Sequence, residues 1–239
     1  MILNLIPYPM RTLLRFCYLF ILTLSISCGE TSQKKETEKA EKPHSAPVGK
    51  VDHADTKVIL FFGNSLTAGM GIDPNEAFPT LIQEKLDSLD LNYKTINAGL
   101  SGETTASGKN RVEWVLNQKV SIFVLELGAN DGLRGIPLEE TRKNLQDIID
   151  IVWAKDPNTL IVLAGMQIPP NMGPDYTKGF SNIFPELAEK NKLSLIPFLL
   201  EDVAGIPDLN QADGIHPTEE GHRIIAETIW PIIDNAIRQ

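Results

Sequence analysis

Cysteine is nearly absent from this chain of 239 residues. Its two copies, Cys17 and Cys28, both lie close to the N-terminus, so everything after position 28 lacks cysteine altogether. A folded domain built from that part of the chain has no disulfide, no cysteine nucleophile and no thiolate metal site. Reactions that depend on a thiolate are therefore excluded for it.

Basic residues are in the minority. The chain has 22 Lys and Arg against 31 Asp and Glu, which gives a formal net charge of −9. A protein with this balance is repelled by the phosphates of nucleic acids, so no nucleic acid is expected as a partner. Hydrophobic residues make up 42% of the chain, which is typical of a soluble globular protein.

The apolar segment near the N-terminus is shorter than the length that a transmembrane helix needs. Arg11 and Arg15 precede the apolar residues 16–26, and small residues and Cys28 follow. Basic, apolar and small-residue regions in this order predict a secretory signal peptide over residues 1–27.

Residues 24–28, Leu-Ser-Ile-Ser-Cys, resemble a bacterial lipobox, in which the cysteine becomes the lipidated first residue of the mature protein. Ser25 departs from the pattern, because a large aliphatic residue is usual there. The resemblance implies a lipid anchor at Cys28, a membrane partner and a place in the bacterial cell envelope. An ordinary cleavage site with an incidental cysteine is the alternative, and Met10 is an alternative start of translation.

Residues 28–55 are rich in Glu, Lys, Thr and Ser and hold almost nothing apolar. Such a segment cannot bury enough surface to offset the entropy lost on ordering, so it predicts a flexible tether. Residues 56–239 are numerous enough for one domain with a single hydrophobic core.

Strand and helix patterns alternate through residues 56–239. Apolar, β-branched segments predict buried parallel strands at 58–62, 93–98, 120–127, 160–164 and 193–197. Apolar residues at helical spacing predict helices at 76–90, 104–116, 138–155, 180–190 and 217–237. Pro231 is expected to bend the last helix. The alternation predicts an α/β fold with a five-stranded parallel sheet and helices on both faces.

Small polar clusters follow the predicted strands at the points where the strands end. Ser65 follows the first strand, Gly102 lies in a Gly- and Ser-rich segment after the second, and Asn130 follows the third. Asp213 and His216 lie in Asp-Gly-Ile-His-Pro, just before the last helix. Because the carboxyl ends of parallel strands share one edge of a sheet, where ligands bind, we expect these residues to meet.

These residue types suit acyl transfer, which needs a nucleophile, a base and donors for the developing oxyanion. Ser65 is the candidate nucleophile, His216 the candidate base, and Asp213 the group that orients the histidine. The candidate oxyanion donors are the backbone N–H groups of Ser65 and Gly102 and the side-chain amide of Asn130. We expect glycine at position 102 because a side chain there would crowd the N–H. The chain has no Gly-x-Ser-x-Gly motif of the nucleophile-elbow type.

The clusters together resemble the motifs of the SGNH (GDSL) hydrolase family, in particular its bacterial thioesterase, lysophospholipase and arylesterase branch. The likeness covers residues 57–239 and is most specific at 127–135, Leu-Gly-Ala-Asn-Asp-Gly-Leu-Arg-Gly, and at 213–217. It implies a flavodoxin-like three-layer α/β/α sandwich and a serine esterase for short- to medium-chain acyl esters, thioesters or lysolipids. It also implies an acyl-enzyme intermediate and no metal or organic cofactor.

One residue departs from the family pattern. Asn64 precedes the serine, where the family's name motif has Asp. The amide keeps the shape and an acceptor oxygen but removes a charge. We expect the family's acid to be structural, so that Asn64 affects pH dependence and stability more than activity.

Loops at the same edge of the sheet carry apolar residues that can line an acyl groove. The candidates are Leu133, Ile136, Met166, Ile168, Pro169 and Met172, together with the segment 198–200. The alternative is that these side chains only pack the loops against the domain. Two other functions compete with the broad acylesterase: a carbohydrate O-acetyl esterase of the same fold, and a non-catalytic binding lipoprotein.

Two more polar residues have competing interpretations. His222 could join Asp213 and His216 in a metal site, but its place on the last predicted helix favours a packing or surface role. Asp131 follows Asn130 directly, and we expect it to order the turn around the amide rather than to react.

Overall fold

The structure, a computed structural model, describes residues 56–239; the predicted signal peptide, Cys28 and the tether lie outside these residues. Its strands are β1 (Lys57–Gly63), β2 (Tyr93–Gly99), β3 (Ile122–Glu126), β4 (Leu160–Ala164) and β5 (Ser194–Ile196). All neighbouring strands are parallel, in the order β2-β1-β3-β4-β5. This is the flavodoxin-like order, so the predicted fold class is confirmed.

The α-helices of the described residues include two short turns that the sequence pattern did not indicate. They are α1 (Ser65–Ala68), α2 (Phe78–Ser88), α3 (Thr105–Val115), α4 (Ala129–Leu133), α5 (Leu138–Lys155), α6 (Pro174–Asn191) and α7 (Glu219–Ile237). The short ones, α1 and α4, directly follow β1 and β3. None of the helices in residues 56–239 is long and apolar enough to cross a membrane.

Helix α6 begins at Pro174, whereas the apolar spacing predicted a start at residue 180. Proline suits the first position of a helix, because its fixed φ is already helical and its missing N–H would have no partner there. Helix α7 runs from Glu219 to Ile237 with Pro231 inside it.

Successive residues of β1 face opposite layers of the sandwich, as expected for a strand covered on both sides. Phe61 lies edge-on to Phe78 of α2, with ring centroids 5.6 Å apart. Phe62 faces the other layer, where it packs against Phe123 and lies under the guanidinium of Arg111 on α3. All four phenylalanines are at most 1% exposed. Burial of each such side chain contributes about 2 kcal/mol.

Strands β1 and β3 are neighbours whose following connections diverge. After β1 the chain continues to β2 on one side, and after β3 it continues to β4 on the other. Such a switch point opens a crevice at the carboxyl ends of the two strands, which is where ligands bind in open α/β sheets. The two short helices α1 and α4 begin at this crevice, and they carry Ser65 and Asn130.

Candidate active site

Ser65 is the first residue of the single-turn helix α1. The side chain of Asn64 caps this helix, because its Oδ1 accepts the N–H of Leu66 at 3.0 Å. Ser65 is 8% exposed and lines a cavity at the switch point. The cap therefore fixes the serine where the strand ends, with its side chain accessible.

Asp213 and His216 share one loop, which an antiparallel bridge between Asn210 and Pro217 closes at its base. Gln211 joins this loop to the segment that follows α1, because its Nε2 donates to the carbonyl oxygen of Met70 at 2.7 Å. The same amide group donates to the carbonyl oxygen of Pro217 at 2.9 Å.

A continuous hydrogen-bonded chain links the three predicted catalytic residues. His216 Nε2 lies 2.9 Å from Ser65 Oγ, and His216 Nδ1 lies 2.6 Å from Asp213 Oδ2. The other carboxylate oxygen of Asp213 accepts the backbone N–H groups of Ile215 and His216 at 2.9 and 3.0 Å.

Hydrogen bonds to the charged form lower the pKa of Asp213 far below its ordinary value. The backbone N–H of His216 has the largest effect, followed by the N–H of Ile215 and the side chain of His216. An ionised carboxylate only accepts, so it holds the imidazole proton on Nδ1. Nε2 is then free to accept the hydroxyl proton of Ser65.

The three predicted oxyanion donors have hydrogens available. Within the described part of the chain, the backbone N–H groups of Ser65 and Gly102 have no acceptor. Asn130 Nδ2 donates one hydrogen to the carbonyl oxygen of Glu103 at 3.1 Å, which orients the amide and leaves its second hydrogen available. Ser65 and Asn130 line the same cavity, and Arg134 donates to the carbonyl oxygen of Gly102 at 3.1 Å.

The structure gives a reason for glycine at position 102 in addition to the expected access to its N–H. A Cβ there would meet nothing within 4 Å, so no neighbouring atom of the protein excludes a side chain. However, φ is +80°, in the left-handed region that glycine favours. Arg111 holds the next residue, Glu103, through two hydrogen bonds of 2.7 and 2.6 Å to its carboxylate.

Asp131 is completely buried and binds the start of α3. It accepts the backbone N–H of Thr105 at 2.9 Å and also the hydroxyl of Thr105. Burial raises the pKa of Asp131, while the hydrogen bonds from Thr105 oppose the rise. The contact joins the turn with Asn130 to the segment that follows Gly102, which is the ordering role expected for it.

His222 is a packing residue. It is 1% exposed, its Nδ1 accepts the N–H of Phe78 at 3.2 Å, and its ring stacks on that of Phe78. Burial lowers the pKa of His222 to about 4, so it is neutral at neutral pH. Within residues 56–239, no three His, Cys, Asp or Glu side chains are grouped to hold a metal ion.

A cavity of about 610 Å³ opens onto Ser65 and His216. Six of the predicted apolar residues line it: Leu133, Met166, Ile168, Pro169 and, from the segment 198–200, Phe198 and Leu200. Part of the remaining apolar lining comes from Ala204 and Ile215.

Two predicted lining residues, Ile136 and Met172, lie elsewhere. The carbonyl oxygen of Ile136 accepts the hydroxyl of Tyr176 at 2.6 Å, which holds that segment against α6. Met172 packs on the hydrophobic core, and its Cε lies close to Gly135. Both belong to loop packing, the alternative considered for the whole set.

Glu126, the last residue of β3, belongs to the site but was not predicted as part of it. It is 1% exposed and accepts hydrogen bonds from Asn64 and Thr67, on either side of Ser65. Burial raises its pKa to about 7, and hydrogen bonds from Thr67 and Asn64 oppose the rise. A signal was present, because Glu126 is the only charged residue in the apolar segment 120–127 and fully buried carboxylates are rare unless partnered.

Comparisons with known proteins agree with this geometry. The model of the GDSL-like lipase/acylhydrolase family matches residues 61–224. Esterase TesA of Pseudomonas aeruginosa is 35% identical over 181 residues, which cover 75% of this chain and 89% of that protein. The thioesterase 1/protease 1/lysophospholipase L1 of Escherichia coli K12 is 37% identical over 175 residues, 73% of this chain and 81% of that protein.

A solved structure shows the same architecture. It is that of the psychrotrophic esterase EstA from Pseudoalteromonas sp., inhibited by monoethylphosphonate. The TM-score is 0.72 at 33% identity, and the match covers 77% of this chain and 100% of that chain. Since the family model spans the serine turn, the Asn130 turn and the Asp213–His216 loop alike, the chain belongs to the GDSL-like lipase/acylhydrolase family and is an ester-bond hydrolase.

Proposed function

We propose that this protein is a serine esterase for short- to medium-chain acyl esters and thioesters, including lysolipids, and that it acts through an acyl-enzyme intermediate. The observation that carries the proposal is the hydrogen-bonded chain Ser65–His216–Asp213 at the floor of a mostly apolar cavity. The base lies within hydrogen-bond distance of both the nucleophile and the orienting acid, as acyl transfer requires.

In the first half of the reaction, Ser65 Oγ attacks the carbonyl carbon of the substrate while its proton moves to His216 Nε2. The carbonyl oxygen becomes an oxyanion that accepts hydrogen bonds from the N–H groups of Ser65 and Gly102 and from Asn130. The bond to the leaving oxygen or sulfur then breaks, and His216 gives its proton to the leaving group. The acyl group remains on Ser65 as an ester.

In the second half, a water molecule attacks the acyl carbon and passes one proton to His216. A second oxyanion forms in the same place and collapses, which releases the fatty acid and returns the proton to Ser65 Oγ. In both halves the imidazolium of His216 is stabilised by the ionised Asp213.

The cavity favours acyl chains longer than acetyl. Burial of one methylene contributes about 0.8 kcal/mol, so two more methylenes are expected to raise kcat/KM roughly tenfold where apolar walls receive them. Met166, Ile168 and Leu200 supply such walls beside Ser65. A carbohydrate O-acetyl esterase has no use for them, because an acetyl group leaves this part of the cavity empty.

The test is hydrolysis of p-nitrophenyl esters from acetate to palmitate by the full chain, by Ser65→Ala and by His222→Gln. We expect a maximum between butyrate and decanoate, loss of activity in Ser65→Ala, and full activity in His222→Gln, whose side chain lies outside the site. A sharp acetate optimum would favour the O-acetyl esterase. Equal activity of wild type and Ser65→Ala would contradict the proposed nucleophile.

A covalent probe tests the intermediate separately. A p-nitrophenyl alkylphosphonate should transfer its phosphonyl group to Ser65 Oγ with release of one equivalent of p-nitrophenol, and peptide mass spectrometry would locate the adduct. Ser65→Ala should release none. An adduct on any other residue would contradict the assignment.

We further propose that the enzyme is anchored in the bacterial cell envelope through lipid on Cys28. The support is the order of basic, apolar and small residues that precedes this cysteine. Mass spectrometry of protein purified from membranes should find a thioether-linked lipid on an N-terminal Cys28. An unmodified thiol, or cleavage at another position, would contradict the anchor.

A further inference from the structure

Glu126 takes no part in the proposed chemistry, yet its carboxylate is buried beside the nucleophile. Oε2 accepts the backbone N–H of Asn64 at 3.0 Å, the N–H of Thr67 at 3.3 Å and the hydroxyl of Thr67 at 2.8 Å. Oε1 accepts Nδ2 of Asn64 at 2.6 Å. The carboxylate thus binds the residue before Ser65 and the residue two after it.

The backbone is shaped to admit this carboxylate. Gly63 is the register partner of Glu126 in the sheet. A Cβ at position 63 would overlap both Glu126 Oε2 and the hydroxyl of Thr67. The approach of Glu126 to the turn therefore depends on glycine at this position.

The hydrogen bonds also determine which way the Asn64 amide points. Its nitrogen donates to Glu126, and its oxygen accepts the N–H of Leu66 at 3.0 Å. The reversed amide would set donor against donor at Leu66 and oxygen against oxygen at Glu126. In the observed orientation, Oδ1 lies 3.4 Å from the hydroxyl oxygen of Ser65.

We propose that Glu126 is a positioning residue for the nucleophile, which acts through the Asn64 amide to keep an acceptor, and never a donor, beside Ser65 Oγ. The inference rests on the proposed function of Ser65. With Oδ1 facing it, the hydroxyl keeps its lone pairs free and points its proton to the nearer acceptor, His216 Nε2 at 2.9 Å. A reversed amide would donate to Oγ and so withdraw electron density from the attacking atom. It would also remove the acceptor that Oδ1 provides for the N–H of Leu66, and with it the cap of α1.

The identity of residue 64 determines whether this arrangement needs an extra proton. An Asp at position 64 would place two carboxyl groups within hydrogen-bond distance in a buried site, and such a pair holds one shared proton. The amide of Asn64 supplies the donor without a proton shared between two carboxyl groups. The hydrogen-bond partners of Glu126 are neutral, and within residues 56–239 no salt bridge reaches it.

The first test is a pair of substitutions that exchange donor and acceptor. In Glu126→Gln the new amide nitrogen faces Asn64 Nδ2, so we expect kcat/KM for p-nitrophenyl butyrate to fall roughly ten- to a hundredfold. In Asn64→Asp/Glu126→Gln the amide of residue 126 donates to the carboxylate of residue 64. Every other donor and acceptor of this group then has a hydrogen-bond partner again. We expect the double variant to recover to within about threefold of wild type.

The second test is the pH profile of Asn64→Asp alone. Below the pH at which the pair loses its shared proton, kcat/KM should stay within about tenfold of wild type. Above that pH, the two facing carboxylates should lower kcat/KM by at least roughly another tenfold. This alkaline limb of the pH profile should be absent from wild type and from Asn64→Asp/Glu126→Gln. His216 is common to all variants, and Glu126 titrates alone in wild type, so the additional alkaline limb is the part of the profile that reports the pair.

A merely structural role of Glu126 would give another result. His222→Gln is the matched control, since it alters a buried titratable residue outside the site and should lower stability without changing the kcat/KM profile. If the double variant is no better than Glu126→Gln, or if Asn64→Asp shows no additional alkaline limb, the positioning role is wrong. Failure of the proposed function would appear separately, as activity retained in Ser65→Ala.

Discussion

Two buried groups, Glu126 and His222, should contribute opposite slopes to the pH dependence of stability. Burial raises the pKa of Glu126 from 4.5 to about 7. The folded state therefore binds more protons than the unfolded state between these values, and the free energy of unfolding falls as pH rises. Burial lowers the pKa of His222 from 6.5 to about 4. Here the unfolded state binds more protons, and the free energy of unfolding falls as pH drops.

The two contributions are similar in size. Each pKa differs between the states by about 2.5 pH units, and at about 1.4 kcal/mol per unit each group changes stability by roughly 3 kcal/mol across its range. In wild type the two slopes largely cancel between about pH 4.5 and 6.5. Removing either group should expose the slope of the other.

These slopes can be measured by urea unfolding, followed by tryptophan fluorescence at several pH values from 4.5 to 7.5. The proteins compared are wild type, Glu126→Gln, His222→Gln and the double variant Glu126→Gln/His222→Gln. Relative to wild type, His222→Gln should lose roughly 3 kcal/mol more as pH rises through this range. Glu126→Gln should show the reverse change. The level of stability reports lost packing and hydrogen bonds, whereas the slope reports titration, so the two effects separate.

The result that would refute this reasoning is a single variant whose slope matches that of wild type. Equal slopes would mean that the substituted group has the same pKa in the folded and unfolded states. The double variant Glu126→Gln/His222→Gln provides a final check, because its free energy of unfolding should depend on pH nearly as little as that of wild type.

Three further outcomes test the site. Asn130→Ala should lower kcat/KM for p-nitrophenyl butyrate roughly a hundred- to a thousandfold without changing the urea midpoint, and a loss below about tenfold would remove the amide from the oxyanion hole. Gly102→Ala should destabilise the protein by only about 1 kcal/mol in urea unfolding, because the strain is in φ and no neighbour is displaced. Leu200→Trp should move the acyl-chain optimum to shorter esters, and an unchanged chain-length profile would contradict the acyl groove.

Much of this enzyme follows from local patterns in its sequence. Apolar periodicity places the strands and long helices, since burial on one or both faces repeats along the chain at a fixed interval. Parallel strands bring their carboxyl ends to one edge, so Ser65, Gly102 and Asn130 can be assigned to one site without coordinates. Asp213 and His216 are close in sequence, and the backbone of one short loop is enough to join them.

Other features depend on contacts between distant segments. Ser65 and His216 are 151 positions apart, and the distance between them depends on the closed loop at Asn210 and Pro217. The start of α6 depends on one proline rather than on periodicity, which is why the apolar pattern missed it. The apolar walls of the cavity come from several separate segments of the chain, so residue type alone could not separate Leu133 from Ile136.

Glu126 shows most clearly which features follow from the local sequence and which depend on the tertiary structure. The sequence by itself determined that a carboxylate would lie near the end of an otherwise apolar strand, and that Asn64 would precede Ser65. Only the tertiary structure decided that the two meet, because the register of β3 against β1 sets Glu126 opposite Gly63. A buried charge must find its donors wherever the packed strands place it, and here those donors are the turn that holds Ser65.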